Sequence, residues 1–257
     1  MNLFKINSLV AGYDRLPILK KITVNLNTHE FIGLIGPNGA GKSTFLKVLW
    51  HLLLPWKGEI HFKDRLLTDY SNRDLAQQMV YIPQFIENII PMSVLDFIRT
   101  GRFPFQKFLN TYTKQDKEII DQALQVTDSL NLKDKLLTEI SGGELQLVRL
   151  ARALAQNQEI IIMDEPTSGL DLKHTSQIMN LLRHLNKQGT TIITVLHDIN
   201  LAAEFCSRII AFKQGEIFFD GAPPEVIIKE NIEALFKTNF LVDKSPLSGA
   251  PYVYPQI

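Results

Sequence analysis

The stretch GPNGAGKST, Gly36 to Thr44, restricts what this chain can fold into more than any other nine residues in it. It satisfies the spacing G-x-x-x-x-G-K-[ST]. The apolar run FIGLIG at 31–36 before it reads as a strand, and a helical pattern follows from Ser43 to about Leu53. Glycines at these places let backbone N–H groups curl around phosphate oxygens. A lysine at position 42 reaches β- and γ-phosphates, and a serine at 43 can ligate Mg2+. The unit predicts nucleotide binding by an α/β chain with a buried parallel sheet.

The other half of such a site is a strand that ends in a metal-holding carboxylate. EIIIMDEP supplies one, with Asp164 closing an apolar run and Glu165 next to it. Adjacent carboxylates at a strand end repel unless a cation lies between them, so the pair points to chemistry. Asp164 is the expected Mg2+ ligand, and Glu165 is placed to polarise water for attack on a γ-phosphate. Met163, just before them, reads as sheet core.

Around these stretches the pattern alternates between two periods. Residues 1 to about 30 alternate apolar and polar (LFKINSLV, ILKKITVNL), which predicts strands of a half-exposed antiparallel sheet, and GEIHFK at 58–63 reads as another strand. Residues 86–157 read as helical throughout. EIIIMDE at 159–165 and TTIITVLH at 190–197 read as buried strands, each followed by a helix. RIIAFKQGEIFFDG at 208–221 predicts a hairpin turning at Gln214-Gly215. From Ala222 a short helix and a proline-bearing end are expected. The expected division is a nucleotide-binding core over 1–85 and 158–221, a helical subdomain over 86–157 and a C-terminal extension over 222–257.

Lys plus Arg and Asp plus Glu both number 27, which argues against a nucleic-acid partner held by bulk charge. Cys206 is the only cysteine, so no internal disulfide is expected, and it reads as a small core residue. MNLFKINSLVAGYD lacks a basic segment followed by an apolar one, so no secretory signal is expected. The longest apolar runs, such as VLWHLLLPW, fall short of the roughly 20 residues that span a bilayer, and no membrane crossing is expected.

A second glycine-bearing stretch, ISGGELQLVRLARALA from Ile140 to Ala155, opens what reads as an amphipathic helix. Ser141 and Glu144 fit a capping box, with Leu147, Leu150, Ala151 and Leu154 as the buried stripe. The paired glycines Gly142 and Gly143 are not needed for that.

ISGGE also resembles the signature, usually LSGGQ, of ATP-binding-cassette transporter ATPases, with Ile140, Glu144 and Leu147 as departures from the common pattern. The rest of the chain resembles that family in order: AGYD with Tyr13, GPNGAGKST, IPQ with Gln84, ISGGE, IIIMDEP, SGLD with Asp171 and VLHD with His197. The resemblance implies an α/β P-loop NTPase core with helices flanking a parallel sheet. To this core it adds an N-terminal antiparallel β-subdomain and an inserted all-helical signature subdomain. It implies ATP as substrate, cradled by Gly36, Pro37, Asn38, Gly39, Ala40, Gly41, Lys42, Ser43 and Thr44, with Tyr13 stacked on adenine. Mg2+ would be held by Ser43, Gln84 and Asp164, and catalysis carried by Glu165, His197 and Gln84. Two copies would pack head to tail, so that Ser141, Gly142, Gly143 and Glu144 of one cap the ATP of the other, and Asp171 reaches across.

The same resemblance implies an importer subunit on the cytoplasmic face of the inner membrane, with separate permease subunits and, indirectly, a substrate-binding protein. GRFPFQKFL at 101–109 falls where the family docks its permease, so Phe103, Phe105 and Phe108 are candidate contacts or core residues. GR-x-P there and the tail GAPPEVIIKENIEALFKTNFLVD resemble importers of iron–siderophore complexes, haem and cobalamin. Zinc or manganese importers and soluble non-transport cassettes are the alternatives. The single cradle counts against tandem ribosome-acting cassettes, and the lack of heptads between cradle and signature counts against chromosome ATPases.

Overall fold

The computed structural model describes residues 1–84, 90–106 and 112–256. The chain divides into two compact units, one of Met1–Tyr70 with Thr191–Ile257 and one of Ser71–Thr190.

The first unit opens with the expected antiparallel sheet. β1 (Asn2–Tyr13) pairs with β2 (Leu16–Asn27), and β3 (Phe31–Ile35) follows, buried at every residue. After the glycine loop come α1 (Lys42–Leu49), β4 (Lys57–Phe62), antiparallel to β1, and β5 (Arg65–Leu66). Alternation puts Phe4 and Phe62 inside as cross-strand partners, rings 4.9 Å apart. α1 ends at Leu49, short of the expected Leu53. His51 takes a left-handed φ of 62°, and the N–H groups of Leu52 and Leu53 both turn back to the Lys47 carbonyl. Apolar periodicity runs on through LLLP, but Leu52 and Leu54 are exposed there, and Pro55 disfavours helix at the residue before it.

The second unit holds α2 (Asn72–Ala76), β6 (Met79–Ile82), α3 (Val94–Arg99), α4 (Lys114–Val126), α5 (Gly142–Ala155), β7 (Ile160–Asp164) and α6 (Leu172–Lys187). Short 3₁₀ turns join the helices, one of them over Thr100–Phe105. β6 and β7 are parallel, and Met163 is fully buried in β7, as expected of sheet core. α3, α4 and α5 close a core of Val94, Ile98, Ile120, Leu124, Val148 and Ala151. α5 carries the foreseen stripe of Leu147, Leu150 and Ala151, with Leu154 half-buried, but Gln146, Val148, Arg149 and Ala153 are buried as well. It is enclosed on more than one side.

Gly101 and Arg102 of GR-x-P anchor this unit. A Cβ on Gly101 would lie 2.4 Å from the Arg152 carbonyl oxygen, so α5 passes where only glycine fits. Arg102 donates to Asp116 at 2.7 Å and to the Ala155 carbonyl at 3.0 Å, and its guanidinium lies 4.3 Å from the centre of the half-buried Phe105 ring. Phe103 is exposed, and Phe108 lies outside the described residues. Burial alone would raise the Asp116 carboxyl, but hydrogen bonds from Thr113 and Arg102 outweigh it and hold the group below its ordinary value. Arg102→Ala strands a buried carboxylate, and is expected to cost about 3–5 kcal/mol, read as a fall in the urea midpoint. Because the folded-state value is depressed, Asp116 contributes its full stabilisation above about pH 4 and loses it as pH falls through the lowered value.

The chain then returns to the first unit with β8 (Thr191–Val195), α7 (Ile199–Phe205), β9 (Arg208–Lys213) and β10 (Glu216–Gly221). β3 lies between β8 and β9, parallel to both, and β10 pairs antiparallel with β9. The β9–β10 hairpin turns at Gln214-Gly215 as expected, both with positive φ, which suits the twist of a two-residue turn. Cys206 is buried, and burial pushes its thiol far above the usual value. The tail holds more than the short helix foreseen. α8 (Pro223–Val226) and α9 (Lys229–Phe236) precede a hairpin of β11 (Phe240–Lys244) and β12 (Pro251–Pro255). Prolines at both ends of β12 mask a strand that is paired on one side only. Among the described residues no helix is long and apolar enough to cross a membrane.

Candidate nucleotide site

In the first unit, β3 delivers the chain into the glycine loop. Gly36, Gly39 and Gly41 take φ of 136°, 75° and 105°, values L side chains rarely adopt. A Cβ on Gly36 would lie 2.1 Å from the Phe212 carbonyl oxygen, so the loop is pressed against β9. The Gly215 N–H donates to Ala40 at 3.1 Å, so the β9–β10 turn props the loop from below. Gly41 caps α1 without a side-chain acceptor, and no acid stands in the first turn. The positive end of the helix therefore faces the loop without a carboxylate of its own, which fits a phosphate. Lys42 is buried, and its ammonium crosses the loop to donate to the Gly36 and Pro37 carbonyls at 2.7 and 3.0 Å. Thr44 is buried and Ser43 half-buried, while Asn38 and Gly39 are exposed.

Tyr13 ends β1, 41% exposed, with the Lys47 ammonium of α1 5.8 Å from the centre of its ring. An open aromatic face beside the helix that leaves the loop suits stacking on a base. His197 lies just past the carboxyl end of β8. The Leu196 N–H before it bonds the Leu34 carbonyl of β3 at 3.1 Å, and Asp198 after it caps α7. The loop and His197 thus leave the same ends of adjacent parallel strands, where open α/β sheets hold ligands.

In the second unit, Asp164 closes β7 and is buried, 5% exposed. Glu165 follows with a left-handed φ of 50°, an uncommon backbone for glutamate. Gln84, two residues past the parallel strand β6, donates its amide to the Glu165 carboxylate. Arg149 of α5, a residue the sequence reading passed over, holds this corner. Its buried guanidinium donates to the Pro83 carbonyl, to the Gln84 carbonyl at 3.1 Å and to the Gln146 side chain at 2.8 Å. A charged residue on the apolar side of an amphipathic helix was the available signal.

The capping box is present: Ser141 accepts from the Glu144 N–H at 3.3 Å, and Glu144 accepts from the Ser141 N–H at 2.8 Å. Hydrogen bonds to it from the Ser141 N–H and then the Ser141 hydroxyl hold the Glu144 carboxyl below its usual value. The two glycines differ. Nothing lies within 4 Å of a Cβ built on Gly142, whereas one on Gly143 would be 2.5 Å from the His174 ring. Gly143 therefore makes room for His174, while Gly142 and Ser141 are exposed. His174, also missed, approaches Asp171 through Nδ1 at 2.8 Å, and Asp171 caps α6 by accepting the His174 N–H at 2.8 Å. Asp171 and Gly143 are joined through one ring. An aspartate three residues before a histidine at a helix start was the sequence sign of that contact.

The family model described as ABC transporter matches residues 19–168. The chain belongs to the ABC transporter family. Its cassette is 33% identical to the ferric enterobactin transport ATP-binding protein FepC of Escherichia coli (strain K12) over 248 residues, 96% of this chain and 92% of FepC. Among solved structures it is similar to a transporter described as of metal-chelate type in an inward-facing conformation. There the TM-score is 0.86 at 25% identity, over 100% of this chain and 98% of that one. It is also similar to the dimeric structure of MJ0796, a bacterial ABC transporter cassette, with TM-score 0.76 at 29% identity, over 86% and 98% of the two chains. The fold is that of this family, an α/β P-loop NTPase core with an antiparallel β-subdomain, and the cassette is an ATP-binding ATPase.

Proposed function

We propose that this chain is the ATP-hydrolysing subunit of a membrane importer for a metal chelate, with iron–siderophore complexes first in that class and haem and cobalamin beside them. It would work as a head-to-tail pair on the cytoplasmic face of the inner membrane, docked on separate permease subunits served by a substrate-binding protein. The observation that carries the reading is that one chain holds both a complete phosphate loop and an exposed, capped second phosphate motif at Ser141. Likeness to FepC over nearly the whole chain, and to a transporter described as of metal-chelate type, supports the cargo class. The dimeric MJ0796 cassette supports the pairing.

In this reading the loop amides and Lys42 bind the phosphates, and Tyr13 orients the base. Ser43, Asp164 and Gln84 can each offer an oxygen ligand, the donor type that suits Mg2+, which is held by few carboxylates together with substrate phosphates. When bound, Mg2+ neutralises charge on the β- and γ-phosphate oxygens. Gln84 and Glu165 orient the attacking water, Glu165 accepts its proton, and His197 bonds the γ-phosphate. Ser141, Gly142, Gly143 and Glu144 contact the partner's ATP, with Asp171 beside them. Closing the pair on ATP moves the permease, and hydrolysis reopens it. Tagged Glu165→Gln protein, pulled from its native cells in detergent with Mg-ATP, is expected to bring down a stoichiometric polytopic membrane protein. Recovery of soluble or ribosomal proteins alone would overturn the importer reading.

A further inference from the structure

We infer that the C-terminal β11–β12 hairpin is a clamp on the helix that follows His197, and that Asn200 is the positioning residue through which it acts. The inference rests on the reading of His197 as a γ-phosphate contact.

The Asn200 carboxamide pairs with both backbone groups of Val253. Its Nδ2 donates to the Val253 carbonyl at 3.1 Å, and its Oδ1 accepts the Val253 N–H at 2.7 Å. The side chain thus stands in for a neighbouring strand on the open edge of β12. Val253 is the one buried residue of β12, 4% exposed, so Asn200 grips the strand at the residue whose side chain is packed inward. A second tie runs from the Ser248 hydroxyl to the Glu204 carboxylate, near the far end of α7.

α7 has only seven residues, a length at which a helix does not hold itself in water. Its position comes from what it touches. On one side it meets β3 at Gly33, where a Cβ would lie 2.8 Å from the Cys206 sulfur and 3.6 Å from the Ala202 Cβ. On the other it meets the hairpin. β3 runs straight into the phosphate loop, and His197 is separated from Asn200 only by Asp198 and Ile199. Asp198 accepts the Asn200 and Leu201 N–H groups at 2.8 and 3.2 Å, so its cap shares the residue that grips the hairpin. Releasing Asn200 from Val253 frees the cap that sets the backbone of His197. The loop itself, propped by β9 and the β9–β10 turn, is untouched.

A clamp on His197 alters what is felt by a γ-phosphate and leaves the rest of the nucleotide alone. The test measures ATP and ADP affinity of the full chain by equilibrium binding, with Glu165→Gln present throughout to prevent turnover. Asn200→Ala, Asn200→Leu, His197→Ala and the Asn200→Ala/His197→Ala double variant are compared. The leucine variant keeps the volume and adds no charge but can neither donate nor accept, and so serves if alanine unfolds the tail. Asn200→Ala and Asn200→Leu are expected to weaken ATP by about tenfold, part of one hydrogen bond to a charged group, with ADP unchanged. Asn200→Ala is expected to add nothing once His197 is alanine. Equal weakening of ATP and ADP, a full additional loss in the double variant, or no effect at Asn200 where His197→Ala has one would each overturn the clamp and leave the His197 reading standing. No effect of His197→Ala on the ATP-to-ADP ratio would remove that reading and the clamp with it.

Discussion

Glu165→Gln is expected to abolish most ATP turnover while leaving ATP bound. Glutamine keeps the shape of the side chain and can still meet the Gln84 amide, which donates to the Glu165 carboxylate in the native chain. It cannot accept a proton from water. Loss of a general base costs typically 10²–10⁴-fold, so kcat for phosphate release should fall by about that factor with little change in ATP affinity. Three features fix the position of Glu165: the buried strand β7 before it, its left-handed φ of 50°, and a neighbouring strand that brings Gln84 alongside. Phosphate release within a few-fold of the native rate would place the base elsewhere.

Lys42→Ala is expected to have the largest effect on binding itself. The lysine is buried with its ammonium over the loop, satisfied by the Gly36 and Pro37 carbonyls, and α1 begins at its own backbone. Replacing those carbonyls with phosphate oxygens turns neutral acceptors into charged ones in a partly desolvated place. Truncating one side of such a pair costs about 2–5 kcal/mol, on the order of 30- to several-thousand-fold in Kd for ATP. Titration with ATP reads this directly. A melting curve close to the native one separates lost binding from a collapsed loop, and unchanged affinity would mean that the loop amides alone hold the phosphates.

Much of the candidate site was legible because its parts are local. The loop from Gly36 to Thr44 carries its glycines, its lysine and its helix start within nine residues. The Ser141–Glu144 capping box closes over three, and the β9–β10 turn over Gln214-Gly215. Strand and helix periods placed Asp164, Glu165 and His197 at strand ends. The misses have local causes too. α1 stops at Leu49 because a left-handed His51 and Pro55 cut off a helix whose apolar period runs on. The β11–β12 hairpin was hidden by prolines and by the absence of alternation on strands with one paired side.

By itself, then, the sequence determined the phosphate loop, the strands and helices on either side of it and the candidate residues of the site, since hydrogen bonds and dihedrals within a few residues depend on spacing alone. Only the tertiary structure decided what holds those residues in place. It put Arg149 of α5 on the Pro83 and Gln84 carbonyls, which lie 66 and 65 residues away in sequence. It put the His174 ring where a side chain on Gly143 would have been, and the Val253 backbone on Asn200, 53 residues away. Such partners meet only after the chain has closed on itself. Burial then makes their polar groups seek one another, because an unpaired N–H or carbonyl away from water costs more than the bond it lacks.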